Sequence, residues 1–91
     1  MTSEDGDAEP TRDHRASLSF AYDDERSARL VERSVRVETG EIDDDRSEAA
    51  VDRDGAVVTV RVAAADLVAL RAGLNTWSRL VEVAERVGGL D

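Results

Sequence analysis

Ser47-Glu48-Ala49-Ala50-Val51-Asp52-Arg53-Asp54-Gly55-Ala56-Val57-Val58-Thr59-Val60-Arg61-Val62-Ala63-Ala64-Ala65-Asp66 decides the fold of this chain. Asp54-Gly55 stands between two segments of alternating polarity, the pattern of two antiparallel strands joined by a two-residue type I′ turn. With Arg53 opposite Ala56, Val51 faces Val58, Ala49 faces Val60 and Ser47 faces Val62, so one side of the hairpin is largely apolar. On the other side Asp52 meets Val57, Ala50 meets Thr59, and Glu48 meets Arg61 as an opposite-charge cross-strand pair. Ala63 to Ala65 then lead to Asp66, an N-cap for a long helix that Gly88-Gly89 ends.

That helix carries two apolar stripes. Leu67, Leu70, Leu74, Trp77, Val81 and Ala84 recur at steps of three and four. Ala69, Gly73, Thr76, Leu80, Val83 and Val87 follow the same rhythm beside them, with small residues in the first half. Two stripes imply two packing partners: the protein's own sheet, and a second chain able to approach closely over Ala69 and Gly73. A broad, wholly intramolecular core face is the alternative, because a domain this small uses most of its apolar residues internally. Arg71, Asn75 and Arg79, four residues apart, draw a polar edge down the same helix, which either meets a partner or stays solvated with Arg79 near Glu82.

Towards the N-terminus, Ala16, Leu18, Phe20 and Tyr22 share one face while Arg15, Ser17 and Ser19 point the other way, a half-buried strand. Asp23 or Asp24 caps the helix that follows, with Glu25 in its first turn where the helix dipole favours negative charge. Ala28, Val31 and Val35 form its apolar seam, Leu30 widens that seam, and Gly40 is its expected stop. Glu41 to Arg46 reads as a charged loop. Asp43, Asp44 and Asp45 are adjacent there, but neighbouring carboxylates in an irregular loop seldom converge on a cation, and no EF-hand spacing is present. Residues 1–13, rich in Glu and Asp, read as a disordered acidic tail, and residues 14–91 as a single α+β domain. The element order is β-α-β-β-α, and the simplest architecture is a three-stranded antiparallel sheet with both helices on one face.

Composition narrows the function classes. The 91 residues hold 21 acidic and 12 basic side chains, a formal net charge of -9, and every basic residue is Arg. An acidic, Lys-free surface is similar to that of proteins from salt-accumulating microbes, so stability and assembly are expected to rise with salt as charge repulsion is screened. The chain has no Cys, which removes disulfides, thiolate metal sites and thiol catalysis. Its one histidine, His14, lies beside the polar terminus, so no cofactor or metal site is expected. Neither a long apolar run nor a basic leader followed by an apolar stretch is present, and the chain reads as soluble, cytoplasmic and free of any membrane role.

From Ala16 to Val87 the chain resembles the small dimerising subunit of the KEOPS complex, the polarised growth chromatin-associated controller (Pcc) family, in a halophilic archaeal form. The densest part is Ala69-Leu70-Arg71-Ala72-Gly73-Leu74-Asn75-Thr76-Trp77-Ser78-Arg79-Leu80-Val81, similar to the family's Leu-Arg-Ala, Leu-Asn-Ser/Thr, aromatic and Arg run. The resemblance implies a non-enzymatic scaffold. Such a protein forms a homodimer and docks through its two helices onto the threonylcarbamoyl transferase subunit of a complex that makes threonylcarbamoyladenosine on tRNA. It further implies that Leu67, Leu70, Leu74, Trp77 and Val81 are core. The partner interface would comprise Val31, Val35, Ala69, Arg71, Gly73, Asn75, Thr76, Arg79 and Leu80. Contact with tRNA is expected only within the assembled complex.

Two other classes remain as alternatives: a small acidic nucleic-acid-associated module, and an unrelated homodimeric interaction module. The strong negative charge and the lack of a Gly-x-x-Gly clamp argue against a lone nucleic-acid binder, so that only a local cluster, such as Arg53 and Arg61 with Arg12 and Arg15, offers phosphate contact within a larger assembly. No spaced acid, base or nucleophile motif supports an enzyme.

Overall fold

The computed structural model describes residues 13–39 and 47–90. The acidic tail up to Arg12, the helix stop at Gly40, and the Asp43-Asp45 loop lie outside the described residues. Five elements follow in the expected order: β1 (His14–Ala21), α1 (Glu25–Arg36), β2 (Ser47–Asp54), β3 (Val57–Ala64) and α2 (Leu67–Val87).

Strand β3 is central, flanked by β1 and β2, and pairs antiparallel with both. The outer strands therefore run parallel to one another with β3 inserted between them, and α1 is the crossover that connects them. Of the two free edges the hairpin offers, β1 takes that of β3 and leaves the outer edge of β2 open. Exposure along β1 alternates residue by residue as its polarity pattern requires.

The hairpin differs from its sequence-based register by two residues. Asp54 pairs with Val57 and Val51 with Val60, so the turn is Gly55-Ala56 rather than Asp54-Gly55. Both primed hairpin turns need positive φ at their first central position, and Gly55 at φ 62° meets that need without the steric cost Asp54 would carry. A shift of two keeps every side chain on its expected face but changes the partners. Arg61 stands opposite Ala50 and bridges diagonally to Asp52, not to Glu48.

Both helices begin on aspartate caps. The Asp24 carboxylate accepts from Ser27 N at 2.8 Å and the Asp66 carboxylate from Ala69 N at 2.7 Å. Each cap typically stabilises its helix by about 1 kcal/mol. The Ser27 bond holds the Asp24 carboxyl below its usual range. Helix α1 ends at Arg36, earlier than Gly40, with Thr39 Oγ1 donating to the Arg36 carbonyl at 2.9 Å.

The helices cover one face of the sheet, α1 over β2 and β3, and α2 chiefly over β1 and β3. The core between them consists of Ala28, Val31, Val35, Val51, Val58, Val60, Val62, Trp77, Val81 and Ala84. Leu18, Phe20, Leu70, Leu74 and Leu80 pack around its margin. Leu67, expected in the core, is 61% exposed. A strict three-four rhythm drifts from the true helical period, and ten residues back from Trp77 the side chain has rotated about 80° away from it.

Candidate protein-docking site

The sequence-predicted interface residues fall into three groups. Val31 and Val35 are 0% and 1% exposed, so they form the core and present no docking surface. Their place in the apolar seam of α1 is turned inward because that helix has a single narrow apolar face. Gly73 also faces inward: a Cβ on it would meet Val62 Cγ1 at 3.0 Å. Its small size therefore lets α2 approach the protein's own β3, which corrects the expectation that it serves close approach by a second chain. Ala69, Thr76 and Leu80 are half-buried, and Arg71, Asn75 and Arg79 are exposed. Arg79 forms no ion pair with Glu82 or any other described residue.

What the structure brings together is a seam between α1 and α2. Ser34 and Val35 of α1 and Glu38 just beyond it, with Leu80, Val83, Ala84 and Val87 of α2, line a groove. Val83 and Val87 are 48% and 82% exposed in it, and Leu30, 39% exposed, lines a neighbouring depression that shares Ser34. Leu30 lies so close to the end of α2 that a Cβ at Gly88 would stand 2.5 Å from its Cδ2. The lower half of the second apolar stripe of α2 thus runs along α1 and emerges into solvent. Leu30, Val83 and Val87 stand outside the interface expected from sequence. Their signal was present in the width of the stripes, but exposure is a property of the packed pair of helices.

Charge around the helices is ordered by one residue of the sheet. Arg53 projects from β2 on the helix side; its Nε donates to Glu32 Oε1 at 2.8 Å and its Nη1 to Glu25 Oε2 at 3.1 Å. Glu32 also accepts from Arg36, and Glu25 lies 3.6 Å from Arg29. The hydrogen bond from Arg53, reinforced by that from Arg36, holds the Glu32 carboxyl below its ordinary range. At the other side of the domain Tyr22 donates to Glu85 at 2.6 Å, and burial together with this carboxylate pushes the phenol well above its ordinary value.

Of the arginines expected to gather for phosphate contact, Arg53 is committed to α1 and Arg61 to Asp52, while Arg12 lies outside the described residues. Arg15 and Arg61 flank a shallow trough on the open face of the sheet with Ser17, Glu48 and Ala50. Among the described residues no cluster of three or more His, Asp or Glu is placed to hold a metal ion. No described helix is long and apolar enough to cross a membrane.

Comparison with known proteins agrees with this geometry. The family model described as "Transcription factor Pcc1" matches residues 15–88. A chain of the crystal structure of the binary complex Gon7-Pcc1 superposes with a TM-score of 0.73 at 16% identity, over 88% of this chain and 98% of that one. No curated protein matches the sequence. With a β-α-β-β-α sandwich and a family match that runs from the second residue of β1 to the residue after α2, the chain belongs to the Pcc1 family.

Proposed function

We propose that this protein is a non-catalytic, dimerising scaffold subunit of a KEOPS complex, which docks the threonylcarbamoyl transferase subunit and so supports threonylcarbamoyladenosine modification of tRNA. The observation that carries the reading is the exposure of Leu30 on α1 and of Val83 and Val87 on α2, apolar side chains that the domain itself leaves uncovered on its helices. Contiguous exposed apolar surface on a small domain marks a protein contact. Family membership supplies the complex, and the seam supplies a surface on the two helices through which its transferase subunit would be held. Because one helical seam serves the transferase, a second copy would bind elsewhere, on the open sheet face or on a free strand edge. Among the half-buried residues expected at the interface, Leu80 lines the seam directly. Ala69, Arg71, Asn75 and Thr76 extend the same helix towards its N-terminus.

Size-exclusion chromatography with light scattering in molar potassium chloride tests the reading, on the protein alone and mixed with the transferase subunit of the same organism. A dimer that moves into a larger stable complex is expected. A monomer that ignores the transferase overturns it.

A further inference from the structure

One depression on this acidic chain is lined mostly by cations. Arg29, Arg33 and Arg36 of α1 and Arg53 of β2 surround about 400 Å³ of open space with Glu32 and Val37. The helix arginines stand four and three residues apart, so they share one face of α1 beside the end of β2. Arg53 is half-buried, and its bonds to Glu32, Glu25 and the Gly55 carbonyl fix the plane of its guanidinium. The depression shares no lining residue with the groove between α1 and α2, so it is a separate feature of the surface.

Its chemistry is rich in donors and poor in acceptors. A guanidinium carries N–H donors alone, set in a planar fork. Among the described residues only Arg53 and Arg36 place any of theirs on an acceptor, Arg53 as above and Arg36 on Glu32. Arg29 lies 3.6 Å from Glu25, too far for a hydrogen bond. The Arg33 side chain is exposed and forms no ion pair or hydrogen bond among the described residues. Four guanidiniums against Glu25 and Glu32 leave a local charge of +2 on a protein of net -9. The helix dipole adds nothing favourable, because α1 presents its C-terminal half here, so attraction for an anion comes from the guanidiniums alone.

We propose that Arg29, Arg33, Arg36 and Arg53 form a binding site for a phosphate dianion, either inorganic phosphate or the terminal phosphate of a monoester. Such a group carries about two negative charges at neutral pH, equal to the local surplus, and offers several strong acceptor oxygens to the unengaged N–H groups. A carboxylate or a bridging phosphodiester carries a single charge and leaves half the surplus unmatched. Arg53, already fixed by its protein contacts, loses little freedom on binding, while the exposed Arg29, Arg33 and Arg36 close around the ligand. The site does not depend on the docking function proposed above.

The test titrates inorganic phosphate into the full chain, in the lowest potassium chloride that keeps it folded by circular dichroism, and follows the arginine Nε–H signals by NMR. Saturable shifts confined to the Arg29, Arg33, Arg36 and Arg53 signals are expected, and adenosine monophosphate should move the same signals if a monoester is accepted. Arg33→Gln should weaken phosphate binding about tenfold, because it removes a charged partner that holds nothing in the fold. Arg26→Gln, a change outside the depression, should bind like wild type. Shifts that never saturate, or that include Arg26 equally, would reduce the effect to general attraction and overturn the site. Acetate binding as tightly as phosphate overturns the preference for a dianion. Tighter binding at the same arginines by an RNA oligonucleotide lacking terminal phosphates assigns them to a nucleic-acid backbone and overturns the proposal as well.

Discussion

Arg53, the last side chain of β2 on the helix face, donates from Nε to Glu32 of α1 at 2.8 Å, with 21% and 19% of the two side chains exposed. One guanidinium thereby ties the hairpin to the crossover helix, and it reaches Glu25 and the Gly55 carbonyl as well. Arg53→Met keeps the aliphatic stem and removes these bonds. It is expected to lower unfolding stability by about 1 to 2 kcal/mol in urea titrations near neutral pH. Stability equal to wild type would show that desolvation of the pair offsets its attraction.

The same contact shapes the acid limb of stability. The Glu32 carboxyl titrates below its ordinary value of 4.5 in the folded protein, chiefly through the Arg53 hydrogen bond. Its contribution is therefore complete above the unfolded value and is lost as pH falls through the lower folded one. In Glu32→Gln the stability difference between neutral pH and about pH 3 should be smaller than in wild type, read from thermal midpoints at matched salt. An unchanged acid limb would assign the loss to other carboxylates.

Tyr22, the only tyrosine, behaves in the opposite sense. Burial, then the Glu85 hydrogen bond and charge, raise its ionisation above the ordinary 10.0, so its contribution is complete below that pH and declines only as pH rises through the higher folded value. Absorbance titration should show no phenolate at pH 10.0 while the protein stays folded. Tyr22→Phe should also lose about 1 kcal/mol, because Glu85 then lacks its donor. Half-ionisation at pH 10.0 in the folded state would refute the Tyr22–Glu85 contact.

Gly73 is a packing residue of the monomer. A Cβ already meets Val62 Cγ1 at 3.0 Å, so Gly73→Leu should force α2 away from β3 and cost roughly 1 to 3 kcal/mol of stability. Gly73→Leu with wild-type stability and lost partner binding would instead return the residue to an interface.

Trp77 is 1% exposed and is the only tryptophan, so its fluorescence reports directly on the core between α2 and the sheet. Trp77→Ala should cost about 3 to 5 kcal/mol, enough to leave a domain of this size largely unfolded in dilute buffer. A cooperative transition at the wild-type midpoint would contradict this packing.

Periodicity and local chemistry were sufficient for the element order, the alternating face of Ala16, Leu18 and Phe20 and the cap at Asp66, and they narrowed the first cap to Asp23 or Asp24 and the hairpin turn to within one residue of its place. Each depends on neighbours within a few residues, and each leaves a mark of period 2 or 3.6 in the chain. The hairpin register did not follow from that pattern, because a slip of two residues leaves every side chain on the same face and only turn geometry distinguishes the alternatives. The same limit applied to the helices. Val31, Val35 and Gly73 look like surface or core with equal ease until β1 and β2 flank β3 and bring both helices onto one face. Likewise the alternating pattern sets Arg61 opposite Glu48 and leaves Arg53 without a partner, while Arg26 and Arg33 have no special standing in it. That Arg53 is taken up by Glu25 and Glu32 of α1, beyond their local pairs with Arg29 and Arg36, and that Arg61 turns to Asp52 rather than Glu48, depends on helix packing and strand register, which only the tertiary structure sets.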